Sequence, residues 1–509
     1  KSGGNKGLFF QNLGNDQAGP YKINYEFAKY NLTKTPFKPS VPDYSVSIPE
    51  ITNLGAFEQD SKKPFSDSQK NALTNTNFFI AQNLDKFWVD DPENISNRTD
   101  DWTKLYGDIG GGPIWVRKPE NSVFITTDFL LHVYHRLLEK EFEYIEYHNF
   151  YPSLKEITDK VFYRAVENYS REKDKDNKES YERIIAFFAV PKAILDSSYD
   201  EFSSGNTEDK KLDTNESVLK KLDDLKGDIP DISYQKAKQE LSLVLDEKAL
   251  EQSPLFGELL SEYQLEVRQD YSQFTPRSHY NKNSVLRVYF RAMMWYGRNN
   301  FALVSPKLTR DALNISLLMK NTGQLKNWES IYIPTAFLVG KSDDLGVYEY
   351  TASLEKAGSN TITGDTVEKT QAEMKNYQDP QIQSSSFFGN QVFDTTKQEL
   401  LQKTKGFRFM GQRFTPDAFI FTSLTQGDEK PDPETGEKLP SSTTALSVMS
   451  ILGSKTADPL VQDWINTNAP ASKNVLNKNI NSLKGQFEKI PEDVWTQNIY
   501  WAWLYTIKS

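Results

Sequence analysis

The chain of 509 residues holds only four histidines, and two of them, His132 and His135, fall three residues apart in the stretch NSVFITTDFLLHVYHRLLEKEFEYIEYH, residues 121–148. On a helix that spacing sets both imidazoles on one face, with Asp128 and Glu139 one turn beyond them on either side. Zinc or another divalent ion accepts such donors, usually completed by a ligand from elsewhere in the chain. His279 is the candidate for that position, so the expected metal ligands are His132, His135 and His279. An HxxH spacing is far less specific than HExxH. The same residues also read as a solvated stripe whose carboxylates and imidazoles pair with one another along the helix.

A second group lies in FTPRSHYNKNSVLRVYFRAMMWYGRNNF, residues 274–301. Arg287, Arg291 and Arg298 repeat at near-helical spacing, and His279 and Tyr280 stand just ahead of them. Such guanidinium groups grip a carboxylate or phosphate with two parallel hydrogen bonds, or pair with carboxylates of the protein itself. The expected binding set is therefore Asp128, His132, His135, Glu139, His279, Tyr280, Arg287, Arg291 and Arg298. A carboxylate pair drawn from Asp128, Glu139 and Asp417 is a further acid–base possibility. No GxSxG or kinase motif occurs, and the Gly-rich GDIGGGP lacks the Lys-Ser/Thr of a phosphate-binding loop.

Both groups must be carried by helices. Thr126 or Thr127 is placed to cap the first, with Asp128 in its first turn. Leu130, Val133, Tyr134, Leu137, Leu138, Phe142 and Ile145 recur at helical spacing. Asp128, His132, His135, Glu139, Glu143 and Glu146 form a thin polar stripe. A helix this apolar should be largely buried, its stripe facing water, a partner or a cavity. Asn283 or Ser284 is placed to cap the second helix, whose apolar face uses Leu286, Phe290 and Met293.

Elsewhere Pro36, Pro39, Pro42 and Pro49 mark residues 1–55 as an extended strap. Helices are expected within 66–88, 154–169 and 180–195, and a hairpin of PIWVRK and SVFIT ahead of the first motif helix. Residues 200–232 read as a polar, solvated excursion within a charged insertion near 171–232. Residues 328–350 read as an apolar strand-like run followed by a helix capped by Ser342. Pro416–Asp417 opens a helix, and Gly453 closes the one in LSVMSILGS. TQNIYWAWLYTIKS is apolar to its end, which suggests a continuation past residue 509. The expected fold is mainly α: one large helical domain over residues 56–509 with a few short strands or hairpins.

Hydrophobic residues at 37% and charged residues at 26% are ordinary for a globular protein, and aromatics at 13% are high enough to fill a core or line a sugar-binding surface. A net charge of −10 argues against nucleic acid as a partner. The absence of cysteine excludes disulfides, thiol catalysis and thiolate-held metals. No run of eighteen apolar residues exists to span a membrane. The opening KSGGNKG begins on Lys and reads as a processed or trimmed N-terminus with a flexible leader, as in an exported protein with its signal removed or a lipoprotein without its anchor Cys.

TTDFLLHVYH, RSHYNKNSVLRVYFRAMMWYGR, YIPTAFLVGKSDDL, FRFMGQRFTPDAFIF and LSVMSILGS, in that order, resemble prokaryotic domain-of-unknown-function family 3160. The resemblance covers roughly residues 60–509. It implies an exported or lipid-anchored protein and carries no established activity. Family members often place Asp before the Val of LSVMSILGS, where this chain has Ser447. The functional expectation is an extracytoplasmic, surface-located binding or structural protein, with a polar cleft between two helices that holds a polar or anionic cell-envelope ligand. Its rival is a cell-envelope hydrolase of glycan or peptide, working through a divalent metal or a carboxylate pair.

Overall fold

A computed structural model describes residues 47–60, 64–78, 127–205, 209–248, 250–263, 265–266, 268–358, 360–382, 388–389, 397–411, 413–425 and 431–508. On the helix Thr127–Ile145, side chains are described from Val133 onward. The expected hairpin at 113–126 and residues 1–46 of the expected strap lie outside the described residues. The chain divides into two compact units, one lying within Asn31–Phe142 and a larger one holding Glu143–Ser509.

The smaller unit contributes α1 (Leu54–Asp60), α2 (Asp67–Thr76) and most of α3 (Thr127–Ile145). Ser66 caps α2 reciprocally with Gln69: the Ser66 hydroxyl accepts from the Gln69 amide at 3.3 Å, and Ser66 N donates to Gln69 Oε1 at 2.9 Å. Lys70 ties α2 to α1 through Glu58 at 2.9 Å. The expected burial of α3 is not what the structure shows over its described side chains. Val133 is buried, whereas Tyr134, Leu137 and Tyr144 are exposed. Apolar periodicity marks the face able to pack, and only an arriving partner buries it.

The larger unit is built around α5 (Lys175–Ser197), which follows α4 (Tyr151–Arg171). From Ile184 to Leu195 nearly every α5 side chain is buried, including Phe187 and Phe188. An all-round apolar helix must be wrapped by others. Around it pack α4, α7 (Asn215–Asp223), α8 (Asp231–Asp246), α9 (Ser284–Arg298) and α10 (Pro306–Asn321), with the short α6 (Tyr199–Ser203) at its end. Pro191 sits inside α5 and has no N–H for the Phe187 carbonyl four residues earlier. Trp295 of α9 supplies the missing donor, its indole N–H reaching Phe187 O at 2.9 Å. The deleted helical bond thus becomes a specific dock for the arginine-bearing helix.

The layer continues through α11 (Leu325–Leu338), α12 (Val347–Ala357) and α13 (Gly364–Met374). Here two expectations need correction. The strand-like run in 328–350 is helical in α11, with Pro334 inside it, and α12 begins after Gly346 rather than at Ser342. β-branched and aromatic residues favour strands only weakly when a hydrophobic layer offers a helix its burial.

A second core forms from Phe414 to Leu504, joining Ile420, Leu424, Val461, Leu476, Phe487, Trp495 and Trp501. It belongs to α15 (Pro416–Leu424), α16 (Leu446–Ile451), α17 (Ala457–Asn468), α18 (Lys473–Phe487) and α20 (Ile499–Lys508), with α14 (Lys397–Lys403) ahead of them and α19 (Glu492–Trp495) between the last two. Strands are two residues long and pair antiparallel: β1 (Glu251–Gln252) with β3 (Arg268–Gln269), β2 (Leu265–Glu266) with β5 (Phe388–Gly389), and β4 (Phe301–Ala302) with β6 (Gly406–Phe407). Gly406 is required by the last of these, since a Cβ there would lie 2.4 Å from Phe301 O. The fold is mainly α, as expected.

Candidate functional site

α3 runs out into a π-helical turn, Glu146–Phe150. Such turns rotate side chains out of the ordinary helical register and recur at functional sites. This one carries Glu146 into the protein, where it is 6% exposed beside Tyr147 and Phe150. Its partners come from the 3-10 turn Ser278–Lys282, immediately ahead of α9. His279 Nε2 lies 2.7 Å from Glu146 Oε2, and the Tyr280 hydroxyl donates to Glu146 Oε1 at 2.6 Å.

Burial first, and the negative charge of Glu146 next, push the Tyr280 phenol well above its ordinary pKa, so it remains a donor. Tyr280 also packs on Phe290, the ring centroids 4.8 Å apart, which fixes the phenol's position. Ser278 holds a φ of 55°, in the left-handed region that a residue with a Cβ rarely adopts, directly before His279.

His279 is 8% exposed, and only one of its ring nitrogens is committed to Glu146. Its Nδ1 has no partner among the described residues and is not among the unpartnered atoms sealed from solvent. At the rim, Lys282 Nζ meets Glu143 Oε2 at 2.6 Å. The exposed rings of Tyr144 and His148 lie beside this, 4.4 Å apart. The contact thus joins Glu143 and Glu146, at the end of the polar stripe, to the turn ahead of α9, and not to the arginine stripe that the sequence pointed to.

α9 begins as expected: the Asn283 side chain accepts from Leu286 N at 3.0 Å. Two of its three arginines, Arg287 and Arg291, are held by acids of the chain. Arg287 grips Asp213 through Nε and Nη2 at 2.8 and 2.7 Å. It grips Asp209 through Nη1 and Nη2 at 3.0 and 2.8 Å. That pairing pulls the Asp209 carboxyl below its ordinary pKa. Arg291 bridges Asp213 at 3.1 Å and Glu247 at 2.9 Å. Arg298 stands at the far end of α9, about 20 Å along the helix from its start at 1.5 Å per residue.

Of the remaining candidates, those with described side chains have other surroundings. Glu139 pairs locally with Arg136 at 2.6 Å, and His135 is exposed. The side chains of Asp128 and His132 lie outside the described residues. Asp417 opens α15 and accepts from the Tyr500 hydroxyl at 2.8 Å, in the second core. Among the described residues no group of three or more His, Asp or Glu is arranged to hold a metal ion. Sequence reasoning placed Glu146 in the polar stripe without singling it out. It also missed Glu201, a fully buried carboxylate that accepts from Ser284 Oγ at 2.5 Å at the start of α9. No local pattern could have flagged that pairing, which spans 83 residues.

The sequence model of a family described as protein of unknown function (DUF3160) matches residues 66–509. The chain belongs to that family. The matched span includes the π-helical turn, the His279 turn and all three arginines of α9, so the junction is built from family sequence. Neither a curated protein nor a solved structure matches the chain. No helix among the described residues is long and apolar enough to cross a membrane.

Proposed function

We propose that this protein binds a polar cell-envelope ligand, from an extracytoplasmic and lipid-anchored position, at the junction of Glu146, His279 and Tyr280. The observation that carries this reading is the buried carboxylate of Glu146, both oxygens of which are spent on holding His279 and Tyr280 in place. An imidazole fixed in this way presents its second nitrogen in a defined direction, which is what recognition of a hydroxyl or an acid requires. The same helix end carries an ion pair, Lys282 with Glu143, and an exposed aromatic pair, Tyr144 with His148. Charged groups beside an exposed ring suit a glycan, whose apolar sugar face stacks while its hydroxyls are hydrogen-bonded. The extracytoplasmic placement is supported by the resemblance to exported proteins and is compatible with a chain free of cysteine.

The test is co-sedimentation of the purified protein with insoluble cell-wall polysaccharide, using Tyr144→Ala and His279→Gln. Tyr144 is exposed, so its loss leaves the core untouched. Binding that both variants weaken supports the reading. Binding that neither changes, or no binding by the parent protein, overturns it.

A hydrolase is the second reading, and one observation favours it. A carboxylate on one nitrogen of an imidazole orients the ring and stabilises its protonated form, leaving the other nitrogen to act as a general base. Glu146 and His279 stand in that relation. Turnover of envelope glycan or peptide that His279→Gln abolishes would establish it.

A further inference from the structure

Arg298 closes α9 and is 4% exposed, yet among the described residues it forms no ion pair. Its Nε and Nη2 are sealed from solvent without a hydrogen-bond partner. These two atoms form one edge of the guanidinium, the edge whose parallel N–H bonds match the two oxygens of a carboxylate. Among the described residues, Arg183 and Arg287 use that edge. Arg183 grips Asp311 with Nε at 2.7 Å and Nη2 at 2.8 Å. Arg287 grips Asp213 with the same two atoms at 2.8 and 2.7 Å. In Arg298 the same fork is buried and unspent.

The surroundings add positive charge. Arg408 docks against the end of α9, donating Nη1 to Gly297 O at 2.8 Å, and its own counter-charge is Asp344 at 3.3 Å. Asp270 is the acid whose charge favours Arg298, but its oxygens are occupied by Ser272 and Gln273 at 2.5–3.1 Å. Burial, then the charge of Arg408, draws the Arg298 pKa down to about 10. A cation taken out of water without a partner is destabilised by several kcal/mol, and buried donors of this kind call for an acceptor.

We infer that the Nε/Nη2 edge of Arg298 is a binding slot for a carboxylate group of a ligand. The slot lies at the opposite end of α9 from the His279 junction and does not depend on the function proposed for it. Asp270, whose charge reaches Arg298, is only partly buried, and Arg268 two residues before it is exposed, so the surface lies close to the fork.

Thermal unfolding of the purified protein in increasing sodium acetate, at ionic strength held constant with sodium chloride, tests this. Acetate should raise the midpoint saturably. Arg298→Met should match or exceed the parent midpoint without acetate and show no acetate response. Arg298→Lys, which keeps the charge and loses the fork, should need about tenfold more acetate for the same shift. A parent protein indifferent to acetate overturns the inference, as does an equal response in Arg298→Met or in Arg298→Lys. Stabilisation by inorganic phosphate but not by acetate overturns the carboxylate assignment.

Discussion

Trp295 donates its indole N–H to the Phe187 carbonyl at 2.9 Å, the carbonyl that Pro191 leaves without its helical donor. The helix carrying the arginines is thereby tied to a defect in the helix it packs on. Trp295→Phe should remove the donor and leave a cavity, costing about 3 kcal/mol. Pro191→Ala restores the N–H and should make Trp295→Phe milder by about 1 kcal/mol. Urea unfolding of both single variants and the double variant measures that coupling. Strict additivity would show that the indole and the proline do not communicate.

Glu146 should be the least replaceable carboxylate of the His279 junction. Tyr280→Phe keeps the ring against Phe290 and removes the donor 2.6 Å from Glu146 Oε1. A buried carboxylate oxygen then loses its partner, at a cost of about 1–3 kcal/mol. Lys282→Ala, which breaks the pair with Glu143 at the rim, should cost less than about 1 kcal/mol, because exposed ion pairs contribute little. Denaturant midpoints rank the two. A larger loss for Lys282→Ala would mean that the junction is held from its edge.

Helix boundaries carry their own local chemistry, and these were legible: the Asn283 cap, the Pro416–Asp417 start and the stop at Gly453 all stand where the residues placed them. The mainly α fold follows from the same periodicity. What periodicity cannot supply is the partner. Arg287 finds Asp209 and Asp213 in a stretch that reads as a solvated excursion, 78 and 74 residues away. Glu146 finds His279 across 133 residues. The apolar side chains Tyr134 and Leu137 find no burial. Pairings of this range are set by how helices stack around α5, which leaves no local trace in composition or spacing.

Arg183 and Asp311 offer the paired counterpart of Arg298. The Asp311 side chain is fully buried and that of Arg183 is partly buried. The pair also spans α5 and α10, two helices of the central layer. Asp311→Ala strips the guanidinium of both bonds and should cost about 3–5 kcal/mol. Replacing both partners with apolar residues, Arg183→Met with Asp311→Leu, should recover most of that loss. Chemical unfolding decides the matter, and a double variant no better than Asp311→Ala would mean that shape rather than charge limits the site.

Burial pushes the Glu349 carboxyl up to about 7 from an ordinary 4.5, against the pull of the hydrogen bond it accepts from Gly346 N at 2.7 Å. The folded protein therefore keeps this proton to a higher pH than the unfolded chain does. The stability tied to the protonated group is full below about pH 4.5, declines as pH rises, and is lost above about pH 7. Asp344, raised to about 7 by burial, contributes a slope of the same sign. Glu349→Gln stays neutral at every pH and keeps a carbonyl oxygen for Gly346 N. Its stability relative to the parent should be near zero at pH 4.5 and grow toward about 1–3 kcal/mol by pH 8. Urea midpoints taken across that range give the difference curve directly. A variant that is less stable than the parent at pH 8, or that runs parallel to it throughout, would show that Glu349 is ionised inside the fold and stabilised there by groups other than Gly346.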